Sequence, residues 1–438
     1  MTVQVANLAQ FVGQEVSVKG WVHTIRRHKN VCFVVIRDST GLAQVTVDLT
    51  EGSQVIDTVS SLTVESTVAI TGKVVPNPSV KLNGLEIFPS SIYVYSRAAT
   101  PLPYDLWGQD VPHIDTRLDY RYLDLRLPKN RLIFEVQTTI EMAMREYWYA
   151  HQFIEIHSPK LMGSPSESGS ELFKLDYFGK IAYLAQSPQF YKQMAIASGF
   201  DKVFEIGPVF RANPSFTARH DTEFTSIDTE IAWIDSHHDI ISYEEAWLRH
   251  VLSVVSEKHG EQIRQSFGVE VKVPDIPFPK IRYFDAVDML SKHGYTPNPQ
   301  SKGDIDPGGE RLLSEIIYRE YGHEFVFVID YPYTIRPFYH MKHDEDPSLT
   351  KSFDLLWKGL EVTTGAQREH RYEILCKQAE EKGISTSSIQ FYLDFFKYGC
   401  PPHGGLGFGL TRMMMSLLGL KNVREVTFLY RGPNRLHP

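Results

Sequence analysis

Short alternating runs dominate the first hundred residues. In Glu15–Val22 the valines 16, 18 and 22 alternate with polar neighbours, the period-two signature of a strand with one buried face. The same reading predicts strands over Val31–Asp38, Leu42–Asp48, Thr67–Val75 and Leu85–Tyr95, separated by Gly, Asn or Pro breaks. Ala98 to Ile114 has little periodicity and carries Pro101 and Pro103, so it reads as a linker. Apolar positions then recur at helical spacing over Ile133–Trp148, and Phe153–Ser158 reads as a strand that stops at Pro159. Farther on, the pattern predicts antiparallel strands Val203–Phe210 and Glu223–Ala232, a long helix Ile240–Lys258, a buried strand Phe325–Tyr331 and a helix Arg368–Lys382. Glu270 to Gly322, rich in Pro and Gly around Thr296–Gly309, shows no readable pattern.

Five strands in so short a length suggest a small closed barrel, and the OB-fold is the economical choice. The remainder mixes helices and strands irregularly, which points to an α+β domain on a mostly antiparallel sheet. The expected organisation is therefore a barrel over 1–97, a linker over 98–115 and a catalytic domain over 116–438. At 438 residues, 42% hydrophobic and 22% charged, the chain is ordinary for a globular protein. No run approaches the ~20 apolar residues of a membrane span, and Met1–Gln10 lacks a basic start before an apolar stretch, so a cytoplasmic protein with no membrane partner is expected. Cys32, Cys376 and Cys400 are too dispersed for a CxxC zinc site or a disulfide framework. The net charge of −8 argues against indiscriminate coating of nucleic acid. A selective RNA partner remains compatible with it, since the first hundred residues sit at +1 and the rest at −9.

The stretch Gly207-Pro208-Val209-Phe210-Arg211-Ala212-Asn213-Pro214-Ser215-Phe216-Thr217-Ala218-Arg219-His220-Asp221-Thr222-Glu223-Phe224 sets two arginines eight residues apart on a loop between predicted strands. Their guanidinium forks can both reach one polyphosphate. Gly404-Gly405-Leu406-Gly407-Phe408-Gly409-Leu410-Thr411-Arg412 supplies a glycine-rich strand and a third arginine where an apolar helix begins. On a strand Glu361 and Thr363 share a face, while a turn near Thr364 and Gly365 would bring the Thr364 hydroxyl beside the Glu361 carboxylate as an oxygen-only site suited to Mg²⁺.

The two arginine-bearing segments resemble motifs 2 and 3 of the class II aminoacyl-tRNA synthetases, and the helix and strand ending at Ser158-Pro159 resemble motif 1, the dimer-forming element. The resemblance implies a homodimer that uses ATP and Mg²⁺. It assigns Arg211 to the α-phosphate and the amino-acid carboxylate, Arg219 and His220 to the outer phosphates, and Phe224 to one adenine face. Arg412 takes the other face and the γ-phosphate, with Asn213, Asp221, Glu361, Gly409, Leu410 and Thr411 in the same nucleotide site. Glu361 and Thr364 are the implied metal ligands.

Ser166-Glu167-Ser168-Gly169, Gln186-Ser187-Pro188-Gln189-Phe190-Tyr191-Lys192-Gln193 and Asp330–Tyr339 resemble the substrate pocket of aspartyl-tRNA synthetases. That implies L-aspartate held by Glu167, Gln189, Lys192, Arg211, Asp228, Thr364 and Arg368. Lys192 and Arg368 would hold the side-chain carboxylate, and a neutral amide would leave Lys192 buried and unpaired. In the barrel, Gly20–His28, Val31–Asp38 and Gly41–Val45 resemble anticodon-binding strands, with Arg26, His28, Phe33, Gln44 and Glu86 as the implied contacts to tRNA. The compact archaeal type fits, because no large insertion separates motifs 2 and 3. His28 and Pro76 or Pro78 resemble its relaxed members, implying tRNA(Asn) as an acceptor beside tRNA(Asp). Asn213, Thr411 and Gly432 depart from acidic residues usual at those places. The rivals are an asparaginyl enzyme on the same scaffold and a catalytically silent tRNA-binding paralogue.

Overall fold

A computed structural model describes residues 1–50, 54–164, 171–214, 217–301 and 303–437. It contains two compact units, Met1–Asp110 and Val111–Pro438.

In the first unit the five expected strands form a closed barrel in the order Glu15–Arg27, Val31–Arg37, Leu42–Asp48, Leu85–Ser96, Thr67–Pro76. Closure leaves no free edge, and the alternating valines of the first strand point inward with Val34, Ile36, Val45, Val68 and Ile70 to make its core. The first strand runs five residues past its expected end, to Arg27, with a register shift between Val22 and Thr24. Such a bulge lets one long strand bend around a small barrel. The stretch expected as a linker is tied to the barrel at Trp107. Its indole donates to Glu65 Oε1 at 3.1 Å, and the Arg37 guanidinium, paired with the same carboxylate, lies 4.5 Å from one of its rings.

The second unit is built on an eight-stranded sheet. Its order is Lys280–Arg282, Phe325–Ile329, Ser352–Trp357, Leu360–Gln367, His403–Gly409, Glu223–Ala232, Lys202–Phe210, Ile154–Glu155. Only the two outermost pairs are parallel. One face is covered by helices Pro128–Ala150 and His237–Phe267, whose Trp148 and Trp247 rings meet at 5.6 Å, with Trp247 reaching Phe408 of the sheet at 5.3 Å. The longer helix starts before the expected Ile240 because Ser236 and Asp239 form a capping box, and it runs to Phe267, where Gly268 at φ 70° ends it.

Two expectations need correction, and one element was unforeseen. The strand after the first helix shrinks to Ile154–Glu155, although the Ile156 N–H still reaches Phe204 O at 2.9 Å. The helix expected from Arg368 begins at Tyr372, since the Arg368 backbone is engaged by His403 O at 2.8 Å and by a bridge to His340. A small sheet of Leu161–Met162, Lys180–Leu184 and Lys174–Tyr177 was not anticipated.

Candidate active site

The hairpin Lys202–Phe210/Glu223–Ala232 closes with Phe210 opposite Glu223, so the loop carrying Arg211 and Arg219 springs from the end of the sheet. It overhangs a cavity of about 310 Å³ on the sheet face opposite the two long helices. Arg211, Asn213, Arg219, His220, Asp221, Phe224, Thr411 and Arg412 all line it, as do Gly409, Glu361 and Thr364. Leu410, the first residue of the helix Leu410–Leu418, turns its side chain into the core instead.

The floor requires glycine. A Cβ on Gly405 would lie 2.0 Å from Thr229 O, and one on Gly407 would lie 3.3 Å from Asp228 Oδ1. Side chains there would part the two central strands or fill the cavity.

Three arginines converge at one end and shape its titration. His220 is pushed below the ordinary histidine range by burial and by Arg412, Arg211 and Arg219. Asp221 goes the other way, to about 7, because burial outweighs the nearby Arg412 and Arg211. Its Oδ2 is buried without a hydrogen-bond partner among the described residues. Arg211 lies 5.4 Å over the Phe224 ring. Arg412 Nη1 donates to both the carbonyl and Oε1 of Glu361, each at 3.0 Å. Arg219 donates to Glu310 Oε2 at 2.8 Å and to Gly359 O at 3.2 Å.

Glu361 and Thr364 come together, though not through the expected turn. The strand Leu360–Gln367 is continuous, and its register slips by one: Leu356 pairs with Glu361 and Leu355 with Thr363. Val362 is the extra residue of a bulge. In a regular strand, residues three apart face opposite sides. The bulge restores Glu361 and Thr364 to the cavity, while buried Thr363 donates to Glu244 Oε1 of the covering helix at 2.5 Å. Among the described residues no three His, Cys, Asp or Glu side chains form a metal cluster. Two protein oxygens, with phosphate and water supplying the rest, suit Mg²⁺.

At the other end Gln189, Asp228 and Arg368 line the cavity, but Lys192 does not. On the helix Gln189–Ala197 it is 2% exposed, donates to Asp228 Oδ1 at 2.9 Å and Leu406 O at 2.8 Å, and sits 3.5 Å from Glu230. Arg368 Nε donates to the same Glu230 at 3.0 Å. Two cations and two carboxylates thus form a buried, balanced quartet. The expectation that a neutral amide would strand Lys192 unpaired is wrong, because the protein itself supplies its counter-ions. Glu167 lies outside the described residues. Gln189 Nε2 donates to Gln193 Oε1 at 2.9 Å.

Several contributors were not singled out from sequence. Glu230 shares a strand face with Asp228, a period-two relation that could have exposed it. His340 lines the cavity, and its Nε2 accepts from Arg368 Nη1 at 3.1 Å. Burial, then Arg368, drives its pKa far down, so the ring stays neutral. Arg336 also lines the cavity, paired to buried Asp354 and 3.6 Å over the Tyr331 ring. Glu310 comes from the segment without readable pattern.

Within the barrel, Arg26 lies opposite Phe33 in the register, 5.7 Å over its ring, and the exposed His28 ring meets the same ring edge-on at 5.8 Å. Phe33 pairs onward with Thr46, and Gln44 with Glu86, so one outer face carries all five expected contacts. Gln44 and Glu86 are buried, Glu86 accepting from Asn77 Nδ2 at 2.8 Å.

Comparison with known proteins agrees with this geometry. A family model of class II tRNA synthetases (D, K and N) matches residues 113–431, and one of the OB-fold nucleic acid binding domain matches residues 16–95. An aspartate–tRNA(Asp/Asn) ligase of Aeropyrum pernix is 40% identical over 99% of this chain and 98% of its own length. An aspartate–tRNA(Asp) ligase of Pyrococcus horikoshii is 42% identical over 97% of each chain. The crystal structure of asparaginyl-tRNA synthetase from Pyrococcus horikoshii, complexed with asparaginyl-adenylate, superposes with a TM-score of 0.89 at 32% identity, covering 98% of this chain and 97% of that one.

Proposed function

Since the chain belongs to the class II tRNA synthetases (D, K and N), ligases that use ATP to form aminoacyl-tRNA, we propose that it is an aspartate–tRNA ligase. One observation carries the reading: a single cavity has an arginine-rich end suited to a polyphosphate and an opposite end lined by Gln189, Asp228 and Arg368, with the ion-paired Lys192 buried behind it, suited to a charged amino acid. Near-full-length relatives at about 40% identity named as aspartate ligases support that choice over asparagine.

The chemistry is alignment of two anions. An aspartate α-carboxylate oxygen attacks the α-phosphorus of ATP, the new O–P bond forming as the bond to pyrophosphate breaks. A ribose hydroxyl at the tRNA terminus then attacks the acyl carbon of aspartyl-adenylate, and AMP leaves. Arg211 screens the first approach, Arg219 and Arg412 take charge accumulating on the leaving pyrophosphate, and Phe224 offers a stacking face for adenine. The Glu361 carboxylate and Thr364 hydroxyl would hold Mg²⁺, which supplies charge neutralisation between phosphates. Glu167, Gln189 and Asp228 are assigned to the substrate ammonium. No covalent nucleophile is needed.

Arg26, His28 and Phe33 are assigned to an anticodon base, with Gln44 and Glu86 shaping the face beside them. Both tRNA(Asp) and tRNA(Asn) are proposed acceptors, His28 and Pro76 or Pro78 being the residues that support the wider range. Exposed Met142, Tyr149 and Ile154, on and beside the helix Pro128–Ala150, support pairing with a second copy. No helix of the described residues is long and apolar enough to cross a membrane, which fits work on tRNA in the cytoplasm.

Pyrophosphate exchange with aspartate and with asparagine, followed by charging of purified tRNA(Asp) and tRNA(Asn), tests the whole reading. Exchange with asparagine alone would make the protein an asparagine ligase, and no exchange with either would make it a silent tRNA binder. Aspartate exchange without any aspartyl-tRNA(Asn) would narrow the acceptor to tRNA(Asp).

A further inference from the structure

The segment Glu270–Gly322 has no part in the reading above, yet it delivers a carboxylate to Arg219 behind the arginine-rich end of the cavity. Its last helix, Pro307–Tyr321, is fixed at its start by Asp306, whose Oδ1 accepts from the N–H groups of Gly308 and Gly309 at 2.8 and 3.1 Å. Pro307 at the first helical position and this cap set the helix axis. Glu310, in the first turn, is thereby turned inward and only 8% exposed. Its Oε2 receives Arg219 Nη1 at 2.8 Å, while Arg219 Nη2 reaches Gly359 O at 3.2 Å.

Arg219 is therefore gripped at two points by groups outside its own loop. A guanidinium has five N–H donors in a fixed plane, so three remain for phosphate oxygens. An unanchored arginine on a loop would have to give up its rotamer freedom when ATP arrives; an anchored one has already done so. Glu310 itself does not line the cavity, whereas Arg219 does.

We propose that Glu310 is a positioning residue for ATP: it holds the Arg219 guanidinium in the orientation that receives the outer phosphates. The inference rests on the assignment of Arg219 to those phosphates. A carboxylate this close could instead compete with phosphate for Arg219, and the two cases give opposite signs.

The test is aspartate-dependent pyrophosphate exchange by the full-length protein and by E310A, E310Q, R219A and R219A/E310A, with ATP and aspartate titrated separately and thermal melts recorded. E310A is expected to raise KM for ATP roughly five- to tenfold while leaving KM for aspartate and the melting temperature near the parent's. E310Q, whose amide oxygen still accepts from Arg219, should recover much of the loss. The double variant should be no worse than R219A, because Glu310 acts only through Arg219. The inference is overturned if E310A lowers KM for ATP, leaves it unchanged, raises both KM values alike, or adds its full effect on top of R219A. An R219A protein with the parent's KM for ATP would instead sink the assignment of Arg219, and this inference with it.

Discussion

Lys192→Met is the sharpest probe of the amino-acid end. The substitution keeps most of the side-chain volume and removes the ammonium that sits 2.9 Å from Asp228 and 3.5 Å from Glu230, in a position 2% exposed. Removing one member of a buried ion pair typically costs about 3–5 kcal/mol, chiefly because the surviving charge is left uncompensated. Here the lower end applies, since Ser226 donates to Asp228 at 2.5 Å and Arg368 still neutralises Glu230. A loss of about 3 kcal/mol should lower the melting temperature of a unit this large by roughly 4 °C. Lys192→Met with Asp228→Asn should recover at least ~2 kcal/mol, a coupling expected only of groups in direct contact.

The functional consequence follows from charge. The quartet goes from neutral to −1, and an aspartate side chain ~6 Å from that charge, at an effective dielectric constant of ~20, is disfavoured by about 3 kcal/mol, or roughly a hundredfold. Asparagine is spared this term. Pyrophosphate exchange with each amino acid should therefore show the aspartate-to-asparagine ratio of kcat/KM falling by about two orders of magnitude. A Lys192→Met protein that retained the parent ratio would refute the electrostatic account, and additive stability losses would refute the pairing.

Three other outcomes are expected. Deleting Val362 removes the bulge and turns Glu361 away from Thr364, so MgATP-dependent exchange should fall by about a thousandfold while tRNA binding through the barrel persists; retained exchange would show that the bulge is not what aligns the two oxygens. Glu244, fully enclosed, has its carboxyl raised from 4.5 to about 8 mainly by burial, so the folded protein holds that proton while the unfolded chain releases it. Its contribution is complete below pH 4.5 and is lost as pH rises through 8, a change on the order of 5 kcal/mol at most. Glu244→Gln should abolish that part of the decline in urea melts between pH 5 and pH 8, and an unchanged pH slope would contradict the burial argument. Phe33→Ala should raise KM for tRNA by roughly five- to a hundredfold, the value of one base stacked on an aromatic ring, with pyrophosphate exchange unaltered; a parallel loss of exchange would mean a role other than anticodon stacking.

Much of this protein was legible from local pattern, because local pattern is what a strand or loop responds to. The barrel strands follow from alternating valines, and the Arg211–Arg219 hairpin follows from two apolar runs around a polar turn. The glycines at 405 and 407 announced a close approach, although not what approached. Helix ends were less readable where a tertiary partner intervened, as at Arg368, whose backbone the sheet claims before the helix can begin.

By itself the sequence determined the two-part architecture and the types of residue, arginines, carboxylates and glycines, that line the cavity. The tertiary structure decided how those residues act. Val362 became a bulge only because neighbouring strands fixed the register on either side of it. Lys192 acquired its counter-ions from strand Glu223–Ala232, and Arg219 its anchor from a helix ninety residues downstream. The physical reason is common to all three: hydrophobic period is a property of adjacent residues, whereas strand register and the pairing of a buried charge depend on groups that only folding brings within a few ångströms.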